Sequence, residues 1–409
     1  MRKNQYMPTA IALYMNYFIH GMGAIILAQN MDFLTKQLHT DTAGVSYVIS
    51  ALGIGRLLVL FATGVLSDKF GRKPFVLIGM GIYSLFFLGI LFSTNVTAAF
   101  IFALLAGIAN SSLDSGTYPA LMESFPKTAG TASVIIKAFI SAGQFTIPFI
   151  IGFLISNDLY FGYSFIFCIV IFILNGLLLI KLPFPDHTQK PEAAGEEAAV
   201  NKFVGKPKFW IEGLCLIIIG YTATATFYLI SVWLPTYGRE VGEMTKTASL
   251  TLISYYSIGS LIAVFITSYL VKSLIKPVTF VLIYPLISFI ALLILWAFPT
   301  PTVCIIAGTV IGFSAAGGVL QLALATMSEL FPTSKGKITG IVYTASSLAT
   351  FSIPVITGIM SKTSISNIIF FDAMITLVGV ILAVVVNIRY RKVIRPIKTT
   401  EITGNPITQ

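Results

Sequence analysis

"GVLSDKFGRKP", residues 64–74, sets four charged side chains, Asp68, Lys69, Arg72 and Lys73, between two long apolar runs. The chain is 56% hydrophobic and only 10% charged, with a mean hydropathy of +0.89. No water-soluble domain hides that much apolar surface, so the solvent is lipid and the charged run is a turn outside it. A hydrocarbon core about 30 Å thick takes about 20 residues of helix. Working outward from the turn, twelve such runs can be placed: 8–30, 43–66, 74–94, 97–122, 130–156, 159–181, 208–235, 247–271, 277–298, 302–327, 337–360 and 365–389. They are read as helices because barrel strands alternate in polarity over only about 10 residues.

The formal net charge of +10 is topology rather than a nucleic-acid signal. With the amino terminus inside and twelve spans, twenty of the 26 Lys and Arg fall in cytoplasmic segments and only four, Lys36, Arg239, Lys246 and Lys362, in outer loops. This positive-inside distribution places both termini of a multi-pass protein in the cytoplasm. The basic surplus adds attraction to anionic lipid, and nucleic acid is not an expected partner. Span 1 has no small-residue cleavage site and is long enough to cross, so it is read as a retained helix. Cys168, Cys215 and Cys304 all lie within apolar spans without metal-ligand spacing and are expected to be unpaired, packed thiols, with no metal or cofactor.

Residues 182–207, "LPFPDHTQKPEAAGEEAAVNKFVGKP", break the apolar pattern and form a cytoplasmic linker between six spans (1–181) and six more with a tail (208–409). The halves repeat at an offset of 206. "MESFPKTAG" at 122–130 matches "SELFPTSKG" at 328–336, superposing Glu123 on Glu329, and Phe145, Pro148 and Gly152 match Phe351, Pro354 and Gly358. The fold class that follows is an all-α membrane protein of twelve helices in two pseudo-symmetric six-helix bundles. Substrate sites in such duplicated proteins lie near mid-bilayer where the repeats meet.

The 64–74 run is then the inner turn between spans 2 and 3. Gly64 and Gly71 permit close packing and a tight turn. Asp68 can accept hydrogen bonds from a nearby helix N-terminus, and Arg72 can pair with Glu123 at the inner end of span 4. If the helix that Asp68 caps belongs to the other half, the turn is a latch that closes the inner side, with Glu329 its counterpart by repeat. The plainer reading is that Lys69, Arg72 and Lys73 only set topology. The pattern Gly-x-x-x-Asp-x-x-Gly-Arg-Lys resembles the signature loop of the major facilitator superfamily, in the place between spans 2 and 3 where that family carries it. Twelve spans, duplicated halves and a central linker extend the resemblance to essentially the whole chain. It implies a secondary transporter working by alternating access. The equivalent turn of the second half, "TSYLVKSLIKP" at 267–277, lacks the glycines and the acid. "GIANSSLDSGTYPALMESFP" at 107–126 also resembles a bacterial subgroup some of whose members are encoded near shikimate and quinate metabolism genes, which points to small hydroxy-acids.

A charge near the bilayer centre costs at least about 2.5 kcal/mol, so each intramembrane one calls for a role. Arg56 in span 2, Asp114 in span 4, Lys137 in span 5 and His20 in span 1 lie at similar depth, given about 1.5 Å rise per residue. Asn110, Asp114 and Tyr118 share one helix face, as do Lys137, Ser141 and Gln144, while Asn16 and His20 make a shorter stripe. Two readings stay open: Asp114 neutralises Lys137, with Arg56, as a packing pair, or Arg56 and Lys137 hold a substrate carboxylate while Asp114 balances charge or carries a coupling proton. His20 is read as a titratable group or a packing residue. The second half offers hydroxyls, rings and an amide instead: Tyr221, Thr224, Tyr228, Tyr255, Tyr256, Tyr284, Gln321 and Tyr343. One half supplies charge and the other reads shape and hydroxyls.

The expected function is proton-coupled uptake of a small organic anion by a monomer, with the lipid bilayer as its other partner. Proton-antiport export of drugs or metabolites is the alternative, although "SAGQFTIPFIIG" at 141–152 lacks the adjacent Gly-Pro and paired Gly-Gly of an exporter signature. A non-transporting receptor would bring a signalling domain, and the chain has only the linker. No enzyme is expected: His20, His39 and His187 are far apart and no phosphate-binding loop is present.

Overall fold

The computed structural model describes residues 5–185, 207–331 and 335–393. Most of the linker, and Pro332 of the repeat, lie outside the described residues, as does the tail beyond residue 393. Among the described residues twelve helices are long and apolar enough to cross a membrane. They are α1 Met7–Gln29, α2 Thr42–Phe70, α3 Arg72–Phe92, α4 Val96–Ser124, α5 Ile135–Ser156, α6 Tyr163–Lys181, α7 Phe209–Glu240, α8 Lys246–Val271, α9 Pro277–Ala297, α10 Pro301–Leu330, α11 Ile338–Ser361 and α12 Ile365–Val393. Several outrun the apolar runs that predict them, because a helix continues beyond the greasy segment wherever its last turns find polar company. α2 reaches Phe70 and stops at Gly71, whose φ of 92° only glycine adopts without strain.

Duplication is visible in the packing. In the first half α2 packs on α4, α3 on α4 and α6, and α1 on α5 and α6. In the second, α8 packs on α10, α9 on α10 and α12, and α7 on α11 and α12, the same pairs shifted by six. Between halves the principal contacts are α2 with α11 and α5 with α8, which the same shift exchanges. The repeat residues Gly152 and Gly358 both face these seams: a Cβ on Gly358 would stand 3.0 Å from Ser46 Cβ of α2, and one on Gly152 3.3 Å from Thr247 Cγ2.

The face that carries the α2–α3 turn and the end of α12, with Arg389, Arg391 and Lys392, is called here the basic face. At that face Arg72 is nearly buried and donates to Glu123 Oε1 through Nε at 3.1 Å and Nη2 at 2.9 Å. Its Nη1 bonds Asp68, four residues back, and Ser67 Oγ. Lys73 Nζ donates to the carbonyls of Ile180 and Leu182, at the free C-terminal end of α6. Three of the four charges of the opening run, Asp68, Arg72 and Lys73, therefore do more than set orientation.

The expected latch is not engaged here: Asp68 is paired inside its own turn and its side chain is 73% exposed. Nor does Gly64 permit any close contact in this state, since a Cβ there would meet nothing within 4 Å. Glu329 accepts from Tyr390 Oη at 2.9 Å, within its own half. The physical reason is common to all three. The hydrogen bonds and ion pairs that join the halves at Ser141, Ser254, Thr42, Asp32 and Asp41 lie from mid-depth to the face opposite the basic one. Those contacts include Ser141 with Ser260 at 3.0 Å, Ser254 donating to Phe145 O at 2.9 Å, and Thr42 with Ser361 at 3.3 Å. Toward the basic face Leu58 and Phe61 of α2 are 70% and 84% exposed.

Candidate functional site

Two close helix crossings build the site. Gly55 and Gly107 bring α2 onto α4 so tightly that a Cβ on Gly107 would stand 2.1 Å from Leu52 O and 2.5 Å from Arg56 N. Gly21 and Gly143 do the same for α1 and α5, where added Cβ atoms would stand 2.1 Å from Ile140 O and 2.0 Å from Phe18 O. The first crossing carries Arg56 beside the next turns of α4. The second brings His20 and Gln144 to one depth.

Between the halves lies a cavity of about 130 Å³. Its charged wall comes from the first half: His20, Arg56, Asp114 and Lys137, with Asn110 and Gln144. The second half contributes Thr224, Phe227, Tyr228, Gln321, Tyr343 and Ser346. The sequence-derived division into a charged half and a hydroxyl-and-ring half is thus how the cavity is lined. Tyr17, Phe227 and Thr350 were not among the expected lining residues. Tyr17 touches the intramembrane carboxylate Asp114 in space but is 97 residues away in sequence, and only the α1–α4 juxtaposition reveals it.

Asp114 is the hub. Arg56 Nη2 donates to its Oδ2 at 2.9 Å and Tyr17 Oη donates to its Oδ1 at 2.6 Å. The guanidinium also faces the Tyr343 ring across the cavity, 5.4 Å from its centroid. Lys137 is not neutralised by Asp114, contrary to the packing-pair expectation. Among the described residues it has no ion pair or hydrogen bond, and its ammonium lies 6.0 Å from the centroid of Phe227. Gln144 Nε2 is buried and unpartnered, as is Arg56 Nε. With Asp114 ionised, Arg56 and Lys137 leave the lining one positive charge in excess. His20 Nδ1 lies 3.2 Å from Tyr83 Oη.

Five residues expected in the lining lie elsewhere, among them Tyr284, which is buried and hydrogen-bonded to Thr267 of α8. Asn16 is buried and accepts from Asn175 Nδ2 at 2.7 Å, joining α1 to α6. Tyr221 hydrogen-bonds Ser352 at 2.7 Å on the α7–α11 contact. Tyr255 points outward, 39% exposed, while its neighbour Tyr256 is fully buried behind the lining. Consecutive residues on a helix are turned about 100° apart, so a run of tyrosines cannot share one face.

The face opposite is closed by charge. Asp32, in the short helix after α1, accepts from Arg239 at the end of α7 and from Lys246 at the start of α8, the latter at 3.1 Å. Burial pushes its carboxyl up, but the hydrogen bonds and charges of Arg239 and Lys246 outweigh this and hold it below the usual range. Lys362 pairs with Asp41 at 3.2 Å. Asp41 is likewise held low, first by the Gly44 amide it caps.

A helical membrane protein whose two matched halves enclose a polar cavity, sealed at one face and parted at the other, has the architecture of a solute transporter. The sequence profile of the Major Facilitator Superfamily matches residues 13–354. Inner membrane transport protein YdiM of Escherichia coli K12 is 48% identical over 95% of this chain and 96% of its own. YfkL of Bacillus subtilis, an uncharacterised transporter of the same type, is 44% identical over 94% of this chain and 97% of its own. Among solved structures the D-xylose–proton symporter superposes with a TM-score of 0.75 at 14% identity, covering 93% of this chain and 97% of that one. The chain belongs to the Major Facilitator Superfamily and is a multi-pass membrane transporter.

Proposed function

We propose that this transporter carries a small organic anion, a hydroxylated carboxylate in chemical class, by alternating access with proton-coupled uptake. It would work as a monomer in the bacterial inner membrane, where YdiM by its name resides, with the basic face and both termini in the cytoplasm. The observation that carries the reading is Lys137: a cation in the cavity lining without a carboxylate partner among the described residues. An uncompensated charge at mid-bilayer is costly, and an anionic ligand is the simplest compensation. Arg56 supplies a second, conditional cation. While Asp114 is ionised it holds Arg56; a proton on Asp114 would weaken that pair and free the guanidinium for the ligand's carboxylate. Binding of anion and proton would then favour each other, which is the requirement for symport. The hydroxyls and rings of Tyr228, Tyr343, Thr224 and Ser346, with the amides of Gln144 and Gln321, suit a hydroxylated or ring-bearing body.

The test is a thermal-shift screen of small organic acids on the purified protein, followed by counterflow of the best ligand in proteoliposomes. Carboxylates should stabilise the protein, and neutral and cationic analogues should not. Stabilisation by lipophilic cations instead would turn the reading to export. Asp114→Asn should keep exchange and lose pH-driven accumulation; intact accumulation would exclude Asp114 as a proton carrier.

A further inference from the structure

Asp372, in α12, takes no part in the central cavity. It is fully buried, and among the described residues no cation pairs with it. Its Oδ1 accepts from Thr226 Oγ1 of α7 at 2.8 Å, and Thr226 is joined to Thr376 Oγ1 at 2.9 Å. Its Oδ2 is buried without a hydrogen-bond partner. An ionised carboxylate in that setting would be both unpaired and unsatisfied, two separate penalties. A proton on Oδ2 removes the charge and turns an orphaned acceptor into a donor.

A small void lies alongside. Thr222, Thr226, Ser288 and Thr376 are among the residues around it, but its walls are almost wholly apolar, and its volume of about 10 Å³ is at the lower limit for one water. Ala223, Ala315 and Val319 line both this void and the central cavity, so the two are neighbours across one layer of small side chains. On that layer α10 leaves regular α geometry for a π-turn at Gly312–Ala316, and Gly318 follows with a φ of 123°. π-turns inside helices recur at functional sites because they loosen the backbone locally. The partition between void and cavity is therefore the least regular part of α10.

The groups that face Asp372 leave the assignment clear. α7 contributes the neutral Thr226, and Ser288 of α9 lies across the void. From α8 comes Tyr256, a fully buried phenol near enough to feel a charge on Asp372. Among the described residues no Lys, Arg, His or second carboxylate from α7, α8, α9 or α11 interacts with it.

We propose that Asp372 is a second proton-binding site, in the carboxy-terminal half, parted from the central cavity by Thr226, Thr376 and the thin layer that α10 supplies. The Oδ2–H bond breaks, the proton passes to water entering from the central cavity, and the carboxylate keeps its hydrogen bond from Thr226; reloading is the reverse. The inference rests on the proton-coupled reading above and adds a site apart from Asp114.

Infrared difference spectroscopy of the full chain in nanodiscs, titrated from mildly acid to mildly alkaline pH in sodium and in choline buffer, tests it without any substrate. The carbonyl stretch of a protonated carboxylic acid should decline on alkalinisation, vanish in Asp372→Asn and persist in Asp114→Asn. Thr226→Val, which keeps the carboxyl and removes its hydroxyl donor, should retain the band with a shifted midpoint, and it serves if the Asn variant does not fold. A band that never titrates, one unchanged in Asp372→Asn, or one that responds to sodium rather than pH overturns the site. In proteoliposomes Asp372→Asn should lose accumulation driven by a pH gradient. A wild-type protein that titrates this band yet accumulates no anion sustains the site and overturns the transport reading instead.

Discussion

Replacing Lys137 by methionine should make the protein more stable and less able to bind anions at once. Removing an unpaired ammonium from mid-bilayer relieves at least about 2.5 kcal/mol by lenient insertion scales. The cation–π contact with Phe227, at 6.0 Å, returns about 0.5–1 kcal/mol of that, and water in the parted cavity screens more, leaving a net gain of roughly 1 kcal/mol. For a chain of this size that is a rise of about 1 °C in melting temperature. Loss of a charge-assisted hydrogen bond to a carboxylate, about 1.5–3 kcal/mol, weakens anion binding by roughly 10- to 150-fold. Arg56→Met should do the opposite to stability. It strands Asp114, whose side chain is only 22% exposed; truncating one partner of a fully buried pair costs about 3–5 kcal/mol, so roughly 1–3 kcal/mol is expected after discounting for that exposure. Differential scanning fluorimetry in detergent and titration calorimetry with the best organic acid read both quantities. A melting temperature lowered by Lys137→Met as much as by Arg56→Met would refute the reasoning, because Lys137 would then be a structural partner rather than a waiting charge.

Gly107→Ala should destabilise by about 1–3 kcal/mol, since its Cβ meets backbone at 2.1 Å, whereas Gly64→Ala, with open space around it, should hold or raise the melting temperature by helix propensity; equal losses would dissociate those glycines from packing. Glu123→Gln should cost about 1–3 kcal/mol by weakening the fork from Arg72, and an unchanged unfolding profile would show that the contact contributes nothing. The Asp32 lock depends on pH with a definite sign. Its carboxyl is held low in the closed state, so its stabilisation is complete above the ordinary carboxylate range and is lost as pH falls through the lowered value. Spin labels flanking Asp32 and Arg239 should separate on acidification, and in Asp32→Asn already at neutral pH; distances indifferent to both would dismiss the lock.

How much was legible in advance differs element by element. The twelve helices followed from apolar run length, because lipid leaves a backbone no other way to satisfy its hydrogen bonds. The 206-residue repeat anticipated the mirrored seams at Gly152 and Gly358, since both halves inherited the same small residue at the same crossing. Common depth along separate helices put Arg56, Asp114, Lys137 and His20 in one layer, because rise per residue is nearly constant. Rotation about the helix axis was harder to read. Tyr255 and Tyr256 differ by one position and face lipid and core respectively, and Asn16 turns to Asn175 rather than to the cavity.

Which cation Asp114 holds could not come from composition or spacing. Arg56 and Lys137 had equal claims by depth, and the choice was made by glycines at 55 and 107 that seat α2 against α4. The same holds for Asp68 and Gly64, whose partners depend on which face of the molecule is parted. Periodicity and hydropathy are properties of one helix in lipid, and the chain order alone carries them. Pairing of buried charges depends on distances of a few ångströms between helices far apart in sequence, and only packing of the two bundles sets those distances.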